Sequence, residues 1–200
     1  MKDNVILTGF MGTGKTSLGK LLATKLGRPF VDIDKKIEDE TQLSIPQIFE
    51  QFGEAHFREL EKAAVKELSE RRGLVIATGG GTVKDEENIR LLKSSGIIIC
   101  LTTKPEEILN RTARRGERPL LDGGETAIRN AQCVMRNDNP QSLQLTAQSS
   151  NSNERLETIK KLLAERKKFY DRADYQVDTT DWSPIQIVDN ICRYLRQFRS

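Results

Sequence analysis

The chain has 200 residues, 36% of them apolar and 30% charged, which suits one water-soluble domain of ordinary size with its own core. Its 32 basic and 29 acidic residues nearly cancel to a net charge of +3, too little to argue for nucleic acid or a membrane surface as partner. Cys100, Cys133 and Cys192 have no C-x-x-C spacing and there is one histidine, which argues against a zinc centre and for a reducing compartment.

Met1 to Asn4 lead into the first strand without a signal-peptide pattern, and the longest apolar runs, such as Ile97 to Leu101, are too short to span a bilayer. A cytoplasmic protein is the expectation. Val5 to Thr8 reads as a buried strand, since the run is apolar without alternation. It opens into Gly9-Phe10-Met11-Gly12-Thr13-Gly14-Lys15-Thr16, followed by Ser17 and a helix with Leu18, Leu21, Leu22 and Leu26 on one face. Strand, G-x-x-x-x-G-K-[ST] and helix in this order make a phosphate-binding loop. Its backbone N–H groups curl around an anion and the helix points its positive end at the same place. Gly12, Thr13, Gly14, Lys15, Thr16 and Ser17 are therefore the candidate nucleotide contacts. Lys15 would reach the β- and γ-phosphates, and the Thr16 hydroxyl would help to hold Mg²⁺.

Gly27 and Pro29 stop that helix, and Phe30 to Asp34 is expected as a second strand. Residues i and i+2 of a strand face the same way, so Asp32 and Asp34 would project together. Ile37 to Leu68 is mostly helical, broken by Pro46 and Gly53 into roughly three pieces, the last holding Phe57-Arg58-Glu59-Leu60-Glu61. Leu74 to Ala77 is a third strand, ending in Thr78-Gly79-Gly80-Gly81-Thr82, where backbone must pass close to something bulky. A charged helix from Asp85 to Lys93 and a strand from Ile97 to Leu101 follow. Thr103 with Glu106 forms a capping box for a helix running toward Arg111, Arg114, Arg115 and Arg118. Asn139 to Asn153 carries no charge and reads as a weakly structured excursion, mobile or disordered by composition. A helix resumes near Glu154 and runs to Tyr170, Tyr175 to Asp178 is a last strand, and Ser183-Pro184 starts a terminal helix. Strands alternating with helices give a parallel sheet covered on both faces.

Kinase chemistry on an alcohol needs a metal anchor, a group for the hydroxyl proton, cations over the phosphoryl and a lid. Asp32, through a water, is the candidate for the metal, and Asp34 for the proton. Both also fit solvent-facing acids at a strand end. Arg58, with Glu61 three residues on, is either a helical ion pair or a guanidinium fork for a substrate carboxylate oriented by Glu61. The arginines from Arg111 to Arg118 are a solvated basic face or contain a phosphate cation. His56 and the cysteines read as structural.

Taken together the motifs resemble the shikimate kinases, small P-loop kinases of the nucleoside-monophosphate-kinase type. The matching pieces are Gly9–Thr16, Asp32-Ile33-Asp34, Phe57–Glu61, Gly79–Gly81, Arg118-Pro119-Leu120-Leu121 and Glu165–Tyr170 with Ala173-Asp174. The resemblance implies a three-layer α/β/α fold with a five-stranded parallel sheet in the order 2-3-1-4-5 and an extended lid. It implies one domain over residues 1–200, with an acceptor-binding helical segment at about 34–61 and the lid at about 112–153. The implied reaction is ATP plus shikimate giving ADP plus shikimate 3-phosphate, on the way to chorismate and aromatic amino acids. The implied roles put Asp34, Arg58 and Arg166 on shikimate, with Glu61 and Gly79, Gly80 and Gly81 lining the same pocket. Lys15, Asp34 and Arg118 would be catalytic, Arg118 from the lid, and Arg111 would lie over the adenine. Mg²⁺ is the implied cofactor, ATP and shikimate the partners, and a monomer the expected state.

The chain departs from the family's usual pattern in two places. Arg118 and Arg166 stand 48 residues apart, a longer lid than usual, and Lys167-Lys168-Phe169 replaces a turn with proline. The added segment is expected to be an elongated flap. The rival readings are another small-molecule kinase, such as a gluconate or nucleoside-monophosphate kinase, and a non-catalytic nucleotide-binding domain that regulates a partner.

Overall fold

A computed structural model describes residues 3–113 and 144–198, with 144–151 described by backbone alone. The elements run β1 (Asn4–Gly9), α1 (Lys15–Leu26), β2 (Phe30–Asp32), α2 (Ile33–Thr41), α3 (Ile45–Glu70) and β3 (Val75–Ala77). They continue with a 3₁₀ turn (Thr82–Lys84), α4 (Glu86–Ser95), β4 (Gly96–Thr102), α5 (Pro105–Ala113), α6 (Gln144–Tyr170), β5 (Tyr175–Asp178) and α7 (Pro184–Arg196). The chain divides into two compact units, Met1–Thr103 with Arg166–Ser200, and Lys104–Glu165.

The first unit is built on a five-stranded sheet in the order β2-β3-β1-β4-β5, with every pairing parallel. β1 lies in the middle and is buried along its length, so Val5, Ile6 and Leu7 are apolar on both faces. Val5 and Leu7 pack with Leu18 and Leu22 of α1 and Ile187, Val188 and Ile191 of α7. Ile6 packs on the opposite face with Ile33 and Ile37 of α2, Val65 and Leu68 of α3 and Leu92 of α4. Two cores, one on each side of the sheet, make the three layers. The carboxyl ends of β1, β2 and β3 then lie along one edge, where open α/β sheets bind ligands.

Local chemistry sets the helix ends. Ser44 and Ser183 each form a capping box with a glutamine three residues on, Gln47 and Gln186. Gly27 ends α1 in the left-handed region at φ 64°. Gly53 interrupts α3 with φ 80° and ψ 172°, so the stretch from Ile33 to Glu70 holds three helical pieces, as expected.

Three expectations are corrected. The second strand ends at Asp32, and Asp34 lies in the first turn of α2, so the i, i+2 strand argument does not apply to the pair. Asp32 is the N-cap, its carboxylate accepting from the Lys35 amide at 3.5 Å, and burial of Ile33 and Ile37 on one helical face favours the turn over further strand. Next, α5 starts at Pro105 with the Lys104 carbonyl accepting from Ile108 N at 3.1 Å, so the helix is not capped by Thr103. The Thr103 hydroxyl pairs with that of Thr180 at 3.2 Å. Finally, α6 begins at Gln144, ten residues before the expected start, so 144–153 is helix. That stretch lacks charge but contains no glycine or proline, and its Leu, Gln and Ala are good helix formers. The rest of the expected flap, with Arg114, Arg115 and Arg118, lies outside the described residues, as does Cys133.

In the second unit, Ile108, Thr112 and Ile159 are buried and Arg111 pairs with Glu107 one turn earlier at 2.8 Å. Among the described residues no helix is long and apolar enough to cross a membrane.

Asn4 ties the start of β1 to its surroundings. It is buried, donates from Nδ2 to the Arg71 carbonyl at 2.8 Å and accepts from the Leu74 amide at 3.0 Å. Asn4→Ala strands both backbone groups, and each unsatisfied buried group costs about 1–3 kcal/mol. Urea unfolding should show a loss of about 2–4 kcal/mol with an unchanged slope.

Candidate active site

The turn from β1 into α1 is the one that the sequence nominates for the donor phosphates. Gly9 sits at φ 138°, and a Cβ there would lie 2.3 Å from the Leu101 carbonyl oxygen, so only glycine fits. Gly14 is the N-cap of α1 at φ 91° and leaves the first-turn amides unencumbered by a side-chain cap, the arrangement that suits a phosphate. Thr13 is buried and its hydroxyl donates to the Phe10 carbonyl at 2.8 Å, locking the loop. Lys15 Nζ donates to the carbonyls of Gly9 and Phe10, 2.9 Å each, which holds its ammonium over the loop. Thr16 and Ser17 are exposed in the first turn of α1.

Thr16 Oγ1 donates to Asp32 Oδ2 at 2.7 Å. The hydroxyl and the carboxylate that the sequence nominates for the metal are thus brought together, across the ends of β1 and β2. Oxygen donors of this kind suit Mg²⁺, which takes one or two carboxylates and leaves the rest of its shell to water and phosphate. Among the described residues no three His, Cys, Asp or Glu side chains gather as a metal cage.

The turn after β3 is the one that the sequence nominates for the acceptor. Its glycines are needed for closeness rather than for positive φ, since the left-handed glycines are elsewhere. A Cβ on Gly79 would lie 2.8 Å from Asp34 Oδ1 and 2.9 Å from Glu61 Oε1. On Gly80 it would lie 3.2 Å from Arg166 Nη1, and on Gly81 3.0 Å from Arg58 Nη1. The turn is therefore the bare floor on which two carboxylates and two guanidinium groups converge. A Cβ on Gly80 would also face the phosphate loop, 3.6 Å from the Gly9 carbonyl oxygen and 3.8 Å from the Met11 amide.

Arg58 makes the helical ion pairs that its spacing allowed and lies on the glycine turn. It is an ion pair, with Nη1 2.8 Å from Glu61 Oε2 and Nη2 2.9 Å from Glu54 Oε1. It is also a half-buried fork lying against Gly81 and beside the Phe57 ring. Burial pulls its pKa down, but the charge and hydrogen bond of Glu61, with those of Glu54, outweigh this and hold it above its usual value. Glu61 is 1% exposed, so its carboxylate depends on its partners. These are Arg58 on Oε2 and the Thr82 hydroxyl on Oε1. Arg166, 8% exposed, donates from Nη1 to the Gly80 carbonyl at 3.4 Å, and its guanidinium lies 5.1 Å from the centre of the Phe10 ring.

Three contributors were not singled out from sequence. Tyr170 is buried and donates to the same Gly80 carbonyl at 3.0 Å, and burial pushes its pKa up to about 12, so it stays a neutral donor. Its position four residues after Arg166, on one helical face, was the available signal. Thr82 begins the 3₁₀ turn and supports Glu61, and Phe10 carries the Arg166 contact from within the phosphate loop. Neither has a spacing signature. Cys100 is buried, which pushes its thiol up to about 12, and half-buried His56 lies beside the Phe52 ring and 3.9 Å from Glu59. Arg111 belongs to the second unit, and Arg118 lies outside the described residues.

A glycine-rich loop with a lysine at a helix start and a glycine turn on which carboxylates and guanidinium groups converge are equipment that suits phosphoryl transfer to a small acid-bearing alcohol. The sequence model described as shikimate kinase matches residues 11–163. A shikimate kinase from Pelotomaculum thermopropionicum is 39% identical over 194 residues, covering 97% of this chain and 96% of that one. The structure of shikimate kinase from Acinetobacter baumannii in complex with shikimate superposes with TM-score 0.78 and 33% identity, covering 98% of this chain and 93% of that one. That of shikimate kinase from Aquifex aeolicus gives 0.72 and 34%, covering 96% of each. With the family model spanning most of the chain and full-length relatives well above 30% identity, the chain belongs to the shikimate kinase family.

Proposed function

We propose that the protein moves the γ-phosphoryl group of ATP to the 3-hydroxyl of shikimate, giving shikimate 3-phosphate and ADP in the supply of chorismate and aromatic amino acids. The observation that carries this reading is the pair of guanidinium groups, Arg58 and Arg166, closing on the glycine floor next to the phosphate loop. A carboxylate on a compact acceptor is what such a pair selects. The acceptor in the Acinetobacter baumannii complex, shikimate, is of that kind.

On this reading Gly12 to Ser17 hold the donor phosphates, with Lys15 on the β- and γ-oxygens. Mg²⁺ bound at Thr16, and at Asp32 through water, would neutralise charge on those oxygens. Asp34, at the start of α2 and facing Gly79, accepts or orients the proton of the attacking hydroxyl. Arg58, oriented by Glu61, and Arg166 hold the acceptor carboxylate against Gly79 to Gly81. Arg118, from the lid at about 112–153, stabilises charge on the transferring group, and Arg111 contacts the adenine. The whole chain works as one catalytic domain, a cytoplasmic monomer.

A coupled ADP-release assay with shikimate, gluconate and CMP tests the reading. Only shikimate should raise the rate above the ATP-only background, and no rise with shikimate overturns the assignment. Arg58→Ala should raise the shikimate KM about tenfold or more while the ATP KM changes little, since a charge-assisted fork contributes roughly 1.5–3 kcal/mol. The variant also leaves Glu61 buried without its cation, so its melting temperature should fall, and the ratio of the two KM values is the decisive readout. Asp34→Asn should lower kcat by about a hundredfold, within the usual range for a general base, with ATP binding unchanged by calorimetry.

A further inference from the structure

Two threonine hydroxyls beneath the site have no role in the assignments above. Thr8 and Thr78 are 1% and 2% exposed, and neither Oγ1 has a hydrogen-bond partner among the described residues. Buried hydroxyls are costly unless bonded, so two together at one place call for an explanation. Their location is specific. Thr8 is the last residue of β1 before Gly9, and Thr78 follows β3 and precedes Gly79. β1 and β3 are paired in the register Leu7 to Ala77, and the Thr78 amide extends the ladder by donating to the Leu7 carbonyl at 3.0 Å. Thr8 stands opposite Thr78 in that register, two residues beyond Ile6 and Ile76. Strand alternation puts both hydroxyls on the face that carries Ile6 and Ile76.

We infer that Thr8 and Thr78 together seat one internal water, and that this water fixes the glycine floor of the acceptor pocket against the phosphate loop. The dimensions suit it. Neighbouring strands lie about 4.8 Å apart. The two hydroxyls do not bond one another, and one water bonding to each at about 2.8 Å would satisfy both. Buried waters occur where polar groups lack partners, and they are costly to remove. Each hydroxyl stands one residue before a loop of the site, Thr8 before the donor loop and Thr78 before the acceptor floor. A Cβ on Gly80, in the second loop, would face the Gly9 carbonyl and the Met11 amide of the first. A link at this point sets how far the γ-phosphoryl lies from the acceptor hydroxyl. Both threonines are positioning residues, because neither lines the pocket.

The inference rests on the proposed transfer to shikimate for its kinetic consequence, but not for the water itself. Thr8→Val and Thr78→Val keep the shape and remove the hydroxyl, and Thr8→Ser and Thr78→Ser keep the hydroxyl. With shikimate and ATP, each valine variant should lose about tenfold in kcat with both KM values within about threefold, a small displacement of reacting groups being enough for such a loss. The serine variants should stay within about threefold of wild type. The double valine variant should be no slower than the worse single one, because a shared water is lost once. Losses that multiply, or valine variants within twofold of wild type, overturn the proposal. Crystals of the full chain give a second readout independent of turnover and of how well the variants fold. Wild type should show one water bonded to both hydroxyls, and a well-ordered site without it would sink the idea. If shikimate gave no turnover, the functional reading would fail while the crystallographic test still decided the water.

Discussion

The site depends on the parallel pairing of β1 with β3, which starts the turns after them one strand spacing apart. A side chain on Gly80 would face the Gly9 carbonyl and the Met11 amide, 3.6 and 3.8 Å from its Cβ. A single Cβ at Gly79, Gly80 or Gly81 would meet a charged group from another element. The sheet sets where the two turns stand, and the helices bring the charges to them.

Those charges are held by a chain of compensation. Two guanidinium groups sit close to the same short turn, and Arg166 is largely buried. Arg58 is kept protonated and oriented by Glu61, which is itself buried and held by Thr82 from the same turn. Arg166 has no carboxylate of this kind among its described contacts; it leans on the Gly80 carbonyl and the Phe10 ring. The difference has a consequence for binding. Part of the Arg58 charge is already spent on Glu61 and Glu54, whereas more of the Arg166 charge is left for an incoming anion. Tyr170, on the same helix, braces the Gly80 carbonyl from the other donor position and stays neutral.

Where sequence reasoning succeeded and failed follows from the range of the forces involved. The phosphate loop was readable because its chemistry is local, with the glycines, the lysine and the helix start all within one turn of chain. The kink at Gly53 and the capping boxes at Ser44 and Ser183 are local for the same reason. Asp34 was assigned to the wrong element because Phe30 to Asp34 fits strand alternation, and only the packing of Ile33 and Ile37 under the sheet shows that the helix has begun. The start of α6 was misjudged because lack of charge was read as lack of structure, although nothing from Gln144 to Asn153 breaks a helix. The cap of α5 was misplaced by a single residue, the usual scale of error where several hydroxyls compete.

By itself the sequence determined the reaction class and the residue types: a phosphate loop, a carboxylate nominated for a metal, arginines nominated for an anion and glycines where backbone must come close. These are encoded in contiguous motifs whose physics operates over a few residues. Only the tertiary structure decided which of them meet. Thr16 reaches Asp32 from the helix after β1 to the end of β2, and Arg166 reaches Gly80 across 86 residues. Such contacts depend on strand order and register, which are set by burying two separate cores on the faces of one sheet. No single stretch of the chain contains that information, because burial is a property of all the elements together.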